Sequence, residues 1–415
     1  MSSVDEKMPE GWVKDTLGEV IDIKHGFAFK GEFITLQSNN KILITPGNFK
    51  VGGGFKSNKF KYYTGDYPEN YVLKPNDVIV TMTDLSKEGD TLGFSAKVPN
   101  DEKEYLHNQR IGLIQFKNSD FDKEYVYWLL RTKHYQKSIV NSATGSTVRH
   151  TSPSRIQEYQ FKYPEDKKEQ KAIANVLTAF DDKIENLRAQ NQTLEQTAQT
   201  IFKEWFGLYQ IDDVLPEGWR VGKLGEIGTI VCGKTPSKSK SDYYGDDIPF
   251  IKIPDMHNQV FILGANDNLT LMGANSQRKK MIPKNSIIVS CIATVGLVSL
   301  STQDCQTNQQ INSVIPINEF MREYLYLKLT SLRKYLNDLG SGGTATLNVN
   351  TSTFSNIELV IPAKDFLMKF NKIQSPLFEK ILSNLKQIQT LTQTRDTLLP
   401  KLMRGELRVN GLKKE

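Results

Sequence analysis

Two patterns in this chain could carry chemistry. The first is the stretch GTIVCGKT, residues 228–235, which satisfies G-x-x-x-x-G-K-[ST] at every required position. Such a loop cradles phosphate only if a helix opens at its lysine, so that backbone amides converge on the anion. Here Pro236 follows at once, and SKSKSDYYGDD beyond it has no apolar face to hold a helix. The later candidate strand SIIVSC ends without an aspartate for magnesium. The stretch therefore reads as a strand over residues 226–232 ending in a glycine turn. The second pattern is a set of polar and basic side chains in turn-rich segments. YLHNQRIG offers Asn108, Gln109 and Arg110, and CQTNQQIN offers Gln306, Asn308, Gln309 and Gln310. Arginine matches guanine, and Asn or Gln matches adenine, in the major groove of DNA. GSTVRHTSPSR adds Arg149, His150 and Arg155, and GGGFKSNKFK adds Lys56, Lys59 and Lys61. TPSKSKSDYY and the residue before it add Lys234, Lys238 and Lys240, and NSQRKKM adds Arg278, Lys279 and Lys280. These lysines would mainly hold phosphates. For every cluster the plain alternative is a solvated loop.

Catalytic constellations are missing from the sequence. The five histidines form no H-x-x-x-H pair, there is no G-x-S-x-G elbow, and no Asn/Asp-Pro-Pro-Tyr/Phe run for amino-methyl transfer. Pro254-Asp255 could open a nuclease signature, but no Asp/Glu-x-Lys follows. A non-catalytic chain without a metal or cofactor of its own is expected. Cys232, Cys291 and Cys305 are an odd count without ligand spacing and read as reduced thiols of a cytoplasmic protein. No apolar run reaches the roughly 20 residues that span a bilayer, and the polar start MSSVDEKMPEGW is no signal peptide. A net charge of +6 over 415 residues permits a polyanionic partner without demanding one.

The elements that must position these residues occur twice. PEGWVKDTLGEVIDIKHG at residue 9 returns as PEGWRVGKLGEIGTIVCG at residue 216. NQRIGLI, EYVYWLL and TAQTIFKEWF return in the same order as NQQINSV, EYLYLKL and TRDTLLPKLM. GSTVRHTSPS matches GTATLNVNTS more loosely. This is a duplication of a unit of roughly 200 residues, too long for a solenoid repeat. Because both copies carry Asn-Gln at 108–109 and 308–309, those residues argue for a shared framework. Gly145-Ser146-Thr147 and Gly343-Thr344 raise the same point. Two globules that read different sequences should differ where they read.

Each unit starts with short apolar runs separated by turns, including KILITPGN, DVIVTM, IGLIQF, IPFIKIPD and INSVIPI, followed by one helical stretch. That predicts an α+β globule with a curved sheet. Each unit ends in a long helix. In the first, Ile173, Leu177, Phe180, Ile184, Leu187, Asn191, Leu194, Ala198, Ile201 and Trp205 alternate steps of four and three, a coiled-coil seam with one polar position at Asn191 to fix register. In the second, Ser375 and Pro376 read as the helix start, and Ile381, Leu385, Ile388, Thr392, Arg395, Leu398 and Leu402 carry its face. Pro400 should end or kink it. One helix cannot bury such a stripe alone. The two are expected to pair antiparallel along roughly 36–60 Å at 1.5 Å per residue, with pseudo-twofold symmetry. The division expected is a first target-recognition domain at 1–164, a helical spacer at 165–208, a second recognition domain at 209–362, and a second spacer with tail at 363–415.

Taken together, LPEGWRVGKLGEIGTIVCGKTPS, GDDIPFIKIPDM, NQQIN, GSGGTATLNV and the closing LLPKLMRGEL resemble the specificity subunit of type I restriction–modification systems. The resemblance covers nearly the whole chain. It departs most in the first copy, which has KHGFAFKGEF where the second has CGKTPSKSKSDYYGDD. It implies a non-catalytic subunit that reads a bipartite, asymmetric DNA target, one half per globule, with the spacer set by the helix pair. It implies two adenine methyltransferase subunits carrying S-adenosylmethionine, and restriction subunits that use ATP and magnesium. It also implies methyltransferase docking near the helix ends, at Trp205, Phe206, Leu399 and Leu402. The rival reading is a coiled-coil scaffold protein that does not read DNA sequence.

Overall fold

A computed structural model describes residues 8–117, 119–341 and 347–409. Gly343 and Thr344 lie outside the described residues. The chain divides into two compact units, Met1–Lys183 with Leu391–Glu415, and Ile184–Thr390. Each unit therefore takes one recognition globule and a part of both long helices, rather than following the sequential division into globules and spacers.

The two globules share one core topology. In the first, an antiparallel sheet runs in the order Ile21–His25, Ile111–Phe116, Val78–Thr81, Ser95–Lys97. In the second, the order is Gly228–Cys232, Ile311–Pro316, Ile287–Ser290, Val298–Ser301, with Phe261–Ile262 added parallel at the edge. The central strands VIVT and IIVS are buried at every residue, as uninterrupted β-branched runs require of a strand covered on both faces. A second, mixed sheet branches off. It has five strands in the first globule and three in the second. In both, the strand that leads into Asn-Gln lies parallel to an earlier one, Glu104–Leu106 on Lys41–Leu43 and Gln306–Thr307 on Phe250–Ile251.

A two-stranded ribbon closes each globule just before its long helix. Trp12–Thr16 pairs antiparallel with Gln160–Pro164, and Arg220–Lys223 with Glu358–Ile361. The helical stretch expected after the sheet is two helices in each copy, Lys123–Leu129 with Lys133–Ser142, and Arg322–Ser331 with Arg333–Gly340. In the first copy Thr132 makes the break, its Oγ1 accepting from the Tyr135 amide at 3.3 Å as an N-cap. The expected strand at 226–232 is shorter, because Leu224–Ile227 forms a helical turn and the strand starts at Gly228.

Both long helices have 40 residues, Lys167–Phe206 and Lys364–Met403. The second starts well before the expected cap at Ser375 and runs through Pro376 and Pro400. Each proline forfeits one backbone hydrogen bond, but buried neighbours on both sides of each hold the helix: Gln374 and Phe378, Leu399 and Leu402. Within the first unit, Ile173, Ala174 and Leu177 share a core with Leu399, Leu402, Met403, Trp12 and Phe161. Within the second, Ala198, Phe202 and Phe206 share a core with Leu367, Phe370, Phe378 and Ile381. Hydrogen bonds fix the direction. Asn384 Nδ2 donates to Asn191 Oδ1 at 2.9 Å and Gln374 Nε2 to the Ala198 carbonyl at 3.2 Å, so rising numbers meet falling ones and the segments are antiparallel. Ile184 and Leu187 are buried as the seam predicts, while Phe180, Leu194, Ile201, Leu385, Ile388 and Leu398 are half-buried. The polar register position is a pair. Asn384 is fully buried where the sequence pattern favoured Leu385.

Candidate nucleic-acid interface

The site grows from one glycine in each globule. Gly26 and Gly233 end the first strand of the core sheet, where the chain crosses directly over the Asn-Gln turn. A Cβ on either would run into the carbonyl oxygen of Asn108 or Asn308. The crossing is bonded on both sides. Phe27 N donates to His107 O at 2.8 Å and Gln109 N to Phe27 O at 3.0 Å. In the other copy Gly233 N donates to Ile311 O at 3.0 Å and Lys234 N to Thr307 O at 2.9 Å. The amides that a phosphate would need are thus committed to the chain, and no helix opens at Lys234. The P-loop match at 228–235 is a close-approach glycine with a lysine after it.

Asn108 and Asn308 lie beneath this crossing and are nearly buried. Asn108 Oδ1 accepts from Arg110 N at 3.0 Å. Asn308 Oδ1 accepts from Gln310 N at 3.2 Å, and its Nδ2 donates to Gln310 Oε1 at 2.9 Å. These asparagines shape the turn, as Asx turns do, which is the framework role that their recurrence in both copies argued for, and they are not free to read bases. Gln306 is corrected from base-reading candidate to framework. It is fully buried, accepts from Gln277 Nε2 at 2.7 Å and donates to Ala274 O at 2.9 Å, leaving its amide no freedom to test a base. What the turns display to solvent is Gln109 and Arg110 in one copy and Gln309 in the other, with Gln310 half-buried.

Two further segments reach the same edge in each globule. Met82 N donates to Arg110 O at 2.9 Å and Thr151 N to Met82 O at 3.0 Å, which brings Arg149 and His150 in, paired with Asp84 and Thr83. The second copy repeats this with Cys291 N on Gln310 O and Val349 N on Cys291 O, both at 2.8 Å. His150 is exposed and its Nδ1 meets Thr83 Oγ1 at 3.1 Å, while Arg149 Nε donates to Lys87 O at 3.1 Å. Asp84, absent from the sequence candidates, organises the neighbouring loop. Its buried carboxylate accepts from Ser86 N at 2.6 Å and Thr91 Oγ1 at 2.6 Å. Burial pushes its pKa up, but these hydrogen bonds outweigh it and hold the carboxyl below its ordinary value.

In the second globule the basic segments converge on the turn. Gln277 Nε2 donates to Lys234 O at 2.7 Å, and Thr235 Oγ1 donates to Gln309 Oε1 at 2.7 Å. Lys234, Arg278 and Lys279 are thereby held on segments tied to Gln309, all exposed, with Lys280 half-buried. Lys240 folds onto Tyr243, with Nζ 5.0 Å from the ring centroid, and Lys238 is exposed. In the first globule Lys56, Lys59 and Lys61 are exposed on and beside the branch sheet, Lys59 in the left-handed region at φ 55°. Arg155 is half-buried in the short helix Pro153–Gln157.

Three of the four expected methyltransferase contacts are buried. Phe206, Leu399 and Leu402 are buried in the cores of their own units. Trp205 is half-buried against Phe366 and Phe370, at ring-centroid distances of 4.8 and 5.6 Å. A side chain already buried among its own neighbours has no apolar surface left for a partner. The three cysteines are free, and burial pushes the Cys291 thiol up to about 11. Among the described residues no helix is long and apolar enough to cross a membrane, and no group of three His, Cys, Asp or Glu could hold a metal ion.

Comparison with known proteins gives the same duplication. The family model "Type I restriction modification DNA specificity domain" matches twice, over residues 9–196 and 216–393. The chain is 40% identical over 382 residues to the type I restriction enzyme HindI specificity subunit of Haemophilus influenzae, covering 75% of this chain and 83% of that one. It is 31% identical to the type I restriction enzyme MjaIX specificity subunit of Methanocaldococcus jannaschii, over 70% of each. Its fold is like that of the crystal structure of the type I restriction–modification S subunit from M. genitalium, with a TM-score of 0.63 at 19% identity, covering 97% of this chain and 98% of that one. The tandem globules, the paired helices and these matches agree, and the chain belongs to the type I restriction–modification DNA specificity family.

Proposed function

We propose that this chain is the DNA-reading subunit of a type I restriction–modification complex, with each globule reading one half of a bipartite, asymmetric target. The observation that carries the reading is the pair of matched edges. The same glycine crossing, buried asparagine and exposed glutamine recur in the two copies, and the residue that follows differs, Arg110 against Gln310. A shared scaffold that diverges at the position after the common glutamine suits two globules that recognise different bases. Arg110 suits guanine, the glutamines suit adenine, and the surrounding lysines suit phosphates.

The chain supplies position and no chemistry of its own. Adenine methyltransferase subunits carry S-adenosylmethionine and flip the target base out of the stack. Restriction subunits consume ATP with magnesium, and the complex works in the cytoplasm. The two unbroken 40-residue helices suit a spacer of fixed length between the half-sites.

Methylome sequencing of a host with and without this chain tests the reading. A bipartite adenine motif that vanishes with the chain is expected, and an unchanged methylome overturns it. Arg110→Ala should relax specificity in one half of that motif alone. A scaffold that does not read DNA would show almost no dependence of duplex binding on salt, whereas phosphate contacts give a steep one.

A further inference from the structure

The first unit holds an ion cluster between a globule and both long helices, built on a single carboxylate. The Asp181 carboxylate, on the first long helix, pairs with both Arg131 and Arg395. The Arg131 side chain is 4% exposed. Its guanidinium lies 4.1 Å from the centroid of the Trp128 ring, a cation–π stack. Arg131 also donates from Nη1 to Tyr127 Oη at 3.0 Å and from Nε to the Gly52 carbonyl at 3.0 Å.

That last bond reaches the base of the lysine loop. Gly52, Gly53 and Gly54 have φ of 83°, 87° and 94°, a conformation that L side chains rarely adopt. A Cβ on Gly53 would strike the Arg131 side chain, so the loop sits directly against it. Gly54 N donates to Ser95 O at 2.8 Å, and Ser95 Oγ donates to Tyr127 O at 2.8 Å. The loop base is thus fastened to the helix Lys123–Leu129 and to the turn after it that carries Arg131. Lys56 and Lys59 follow within a few residues and face solvent.

We propose that Arg131, held by Asp181, which Arg395 anchors in turn, is a positioning residue for the first half-site, fixing the lysine loop to the helix pair so that Lys56 and Lys59 meet the DNA backbone in one register. The proposal rests on the reading of the first globule as a DNA reader. It goes beyond it by assigning a role to residues that touch no DNA. Without the Asp181 charge, Arg131 is a buried cation with half its anchor gone and is drawn toward water. The glycine-rich loop then loses the carbonyl contact that holds it.

The experiment uses the full chain assembled with its methyltransferase subunits, and duplexes in which each half-site is randomised separately. Asp181→Asn and the milder Arg395→Gln are compared with Lys56→Ala/Lys59→Ala. Asp181→Asn is expected to weaken binding to the first half-site about tenfold, as loss of one or two phosphate contacts would, with discrimination in the second half-site unchanged. Arg395→Gln should shift the same half-site by less, and Arg131→Lys should restore part of the loss seen with Arg131→Met. A merely structural role would lower both half-sites together or neither, and either result overturns the proposal. If Asp181→Asn acts selectively but the double lysine variant does not, the loop is no phosphate contact and the positioning role falls with it. If no variant of the first globule alters either half-site, the DNA-reading assignment itself is what fails.

Discussion

The two units solve one packing problem in opposite ways. Aligned on their first residues, the long helices match Asp181 with Phe378 and Arg395 with Ala198, while the repeat matches Arg131 with Thr330. Where the first unit puts a carboxylate between two guanidinium groups, the second stacks Phe378 on Tyr326, with ring centroids 5.3 Å apart at 82°, and on Phe261 at 6.2 Å. The aromatic contact is non-directional and tolerates small shifts. The ion cluster costs desolvation and holds its shape only while every partner stays. Burial pushes the Asp181 pKa up, yet Arg131 and then Arg395 pull harder, and the carboxyl titrates below its ordinary value. The difference teaches that a duplicated fold keeps its backbone and changes its adhesive. Here the directional version sits beside the globule with three consecutive left-handed glycines.

The largest expected effect breaks the aromatic side of this comparison. Phe378→Ala should cost about 3–5 kcal/mol by leaving a cavity among Ile381, Phe261 and Tyr326, measured by urea denaturation of the full chain. The ion side should behave differently under an apolar swap. Replacing Arg131, Asp181 and Arg395 together by Met, Leu and Met should leave stability unchanged or raise it by about 1–4 kcal/mol, while recognition of the first half-site drops. Equal stability losses in the two experiments would show that the cluster is mere adhesive.

The glycine crossings offer a matched pair. Gly26→Ala and Gly233→Ala each push a methyl into a backbone carbonyl and should cost about 1–3 kcal/mol or more, each in its own unit by hydrogen exchange. A smaller contrast lies beneath the same turns, where His107 in one copy corresponds to Thr307 in the other. His107 Nε2 donates to Ile111 O at 2.8 Å, and Nδ1 has no partner among the described residues. Burial, reinforced by nearby Lys24 and His25, lowers its pKa to about 4. Because the folded value lies below the unfolded 6.5, the unfolded chain binds the proton first. The stability contributed by neutral His107 is complete above pH 6.5 and is lost as pH falls toward 4, by about 1.4 kcal/mol per unit. Exchange protection of residues 104–116 should fall over that window, and that of 304–316 should not. His107→Thr should remove the difference.

The helix amides give the smallest effect when both are replaced together. Asn191→Leu with Asn384→Leu should leave stability within about 1 kcal/mol, while Asn191→Ala alone strands the Asn384 amide and costs about 1–3 kcal/mol. Adding one heptad to both helices, within residues 186–200 and 384–393, should change the tolerated spacer and leave both half-site sequences as they were. The methylome reads both outcomes.

The duplication, the α+β globules and the long apolar stripes were legible in the sequence, because repeats and periodicity are local in the chain. The P-loop match was refuted there by a missing apolar face, and the structure adds the reason for the glycine, a backbone crossing from a strand some 75 residues away. Three docking candidates are covered, which the sequence did not show, because it identifies an apolar side chain but not what covers it. Phe206 and Leu402 are covered by their own units. The helix start was missed because Ser375-Pro376 looks like a cap, and buried neighbours override that local preference.

By itself the sequence determined what repeats, which faces are apolar and that polar turns recur in register. Only tertiary structure decided which of those polar groups remain available. Gln306 was consumed as framework, Asn108 and Asn308 were separated from the glutamines that follow them, and Gln109, Arg110 and Gln309 were left exposed. The physical reason is that a buried polar group must find partners inside the protein. Whether an amide reads DNA or holds a turn therefore depends on neighbours that the linear chain does not place beside it.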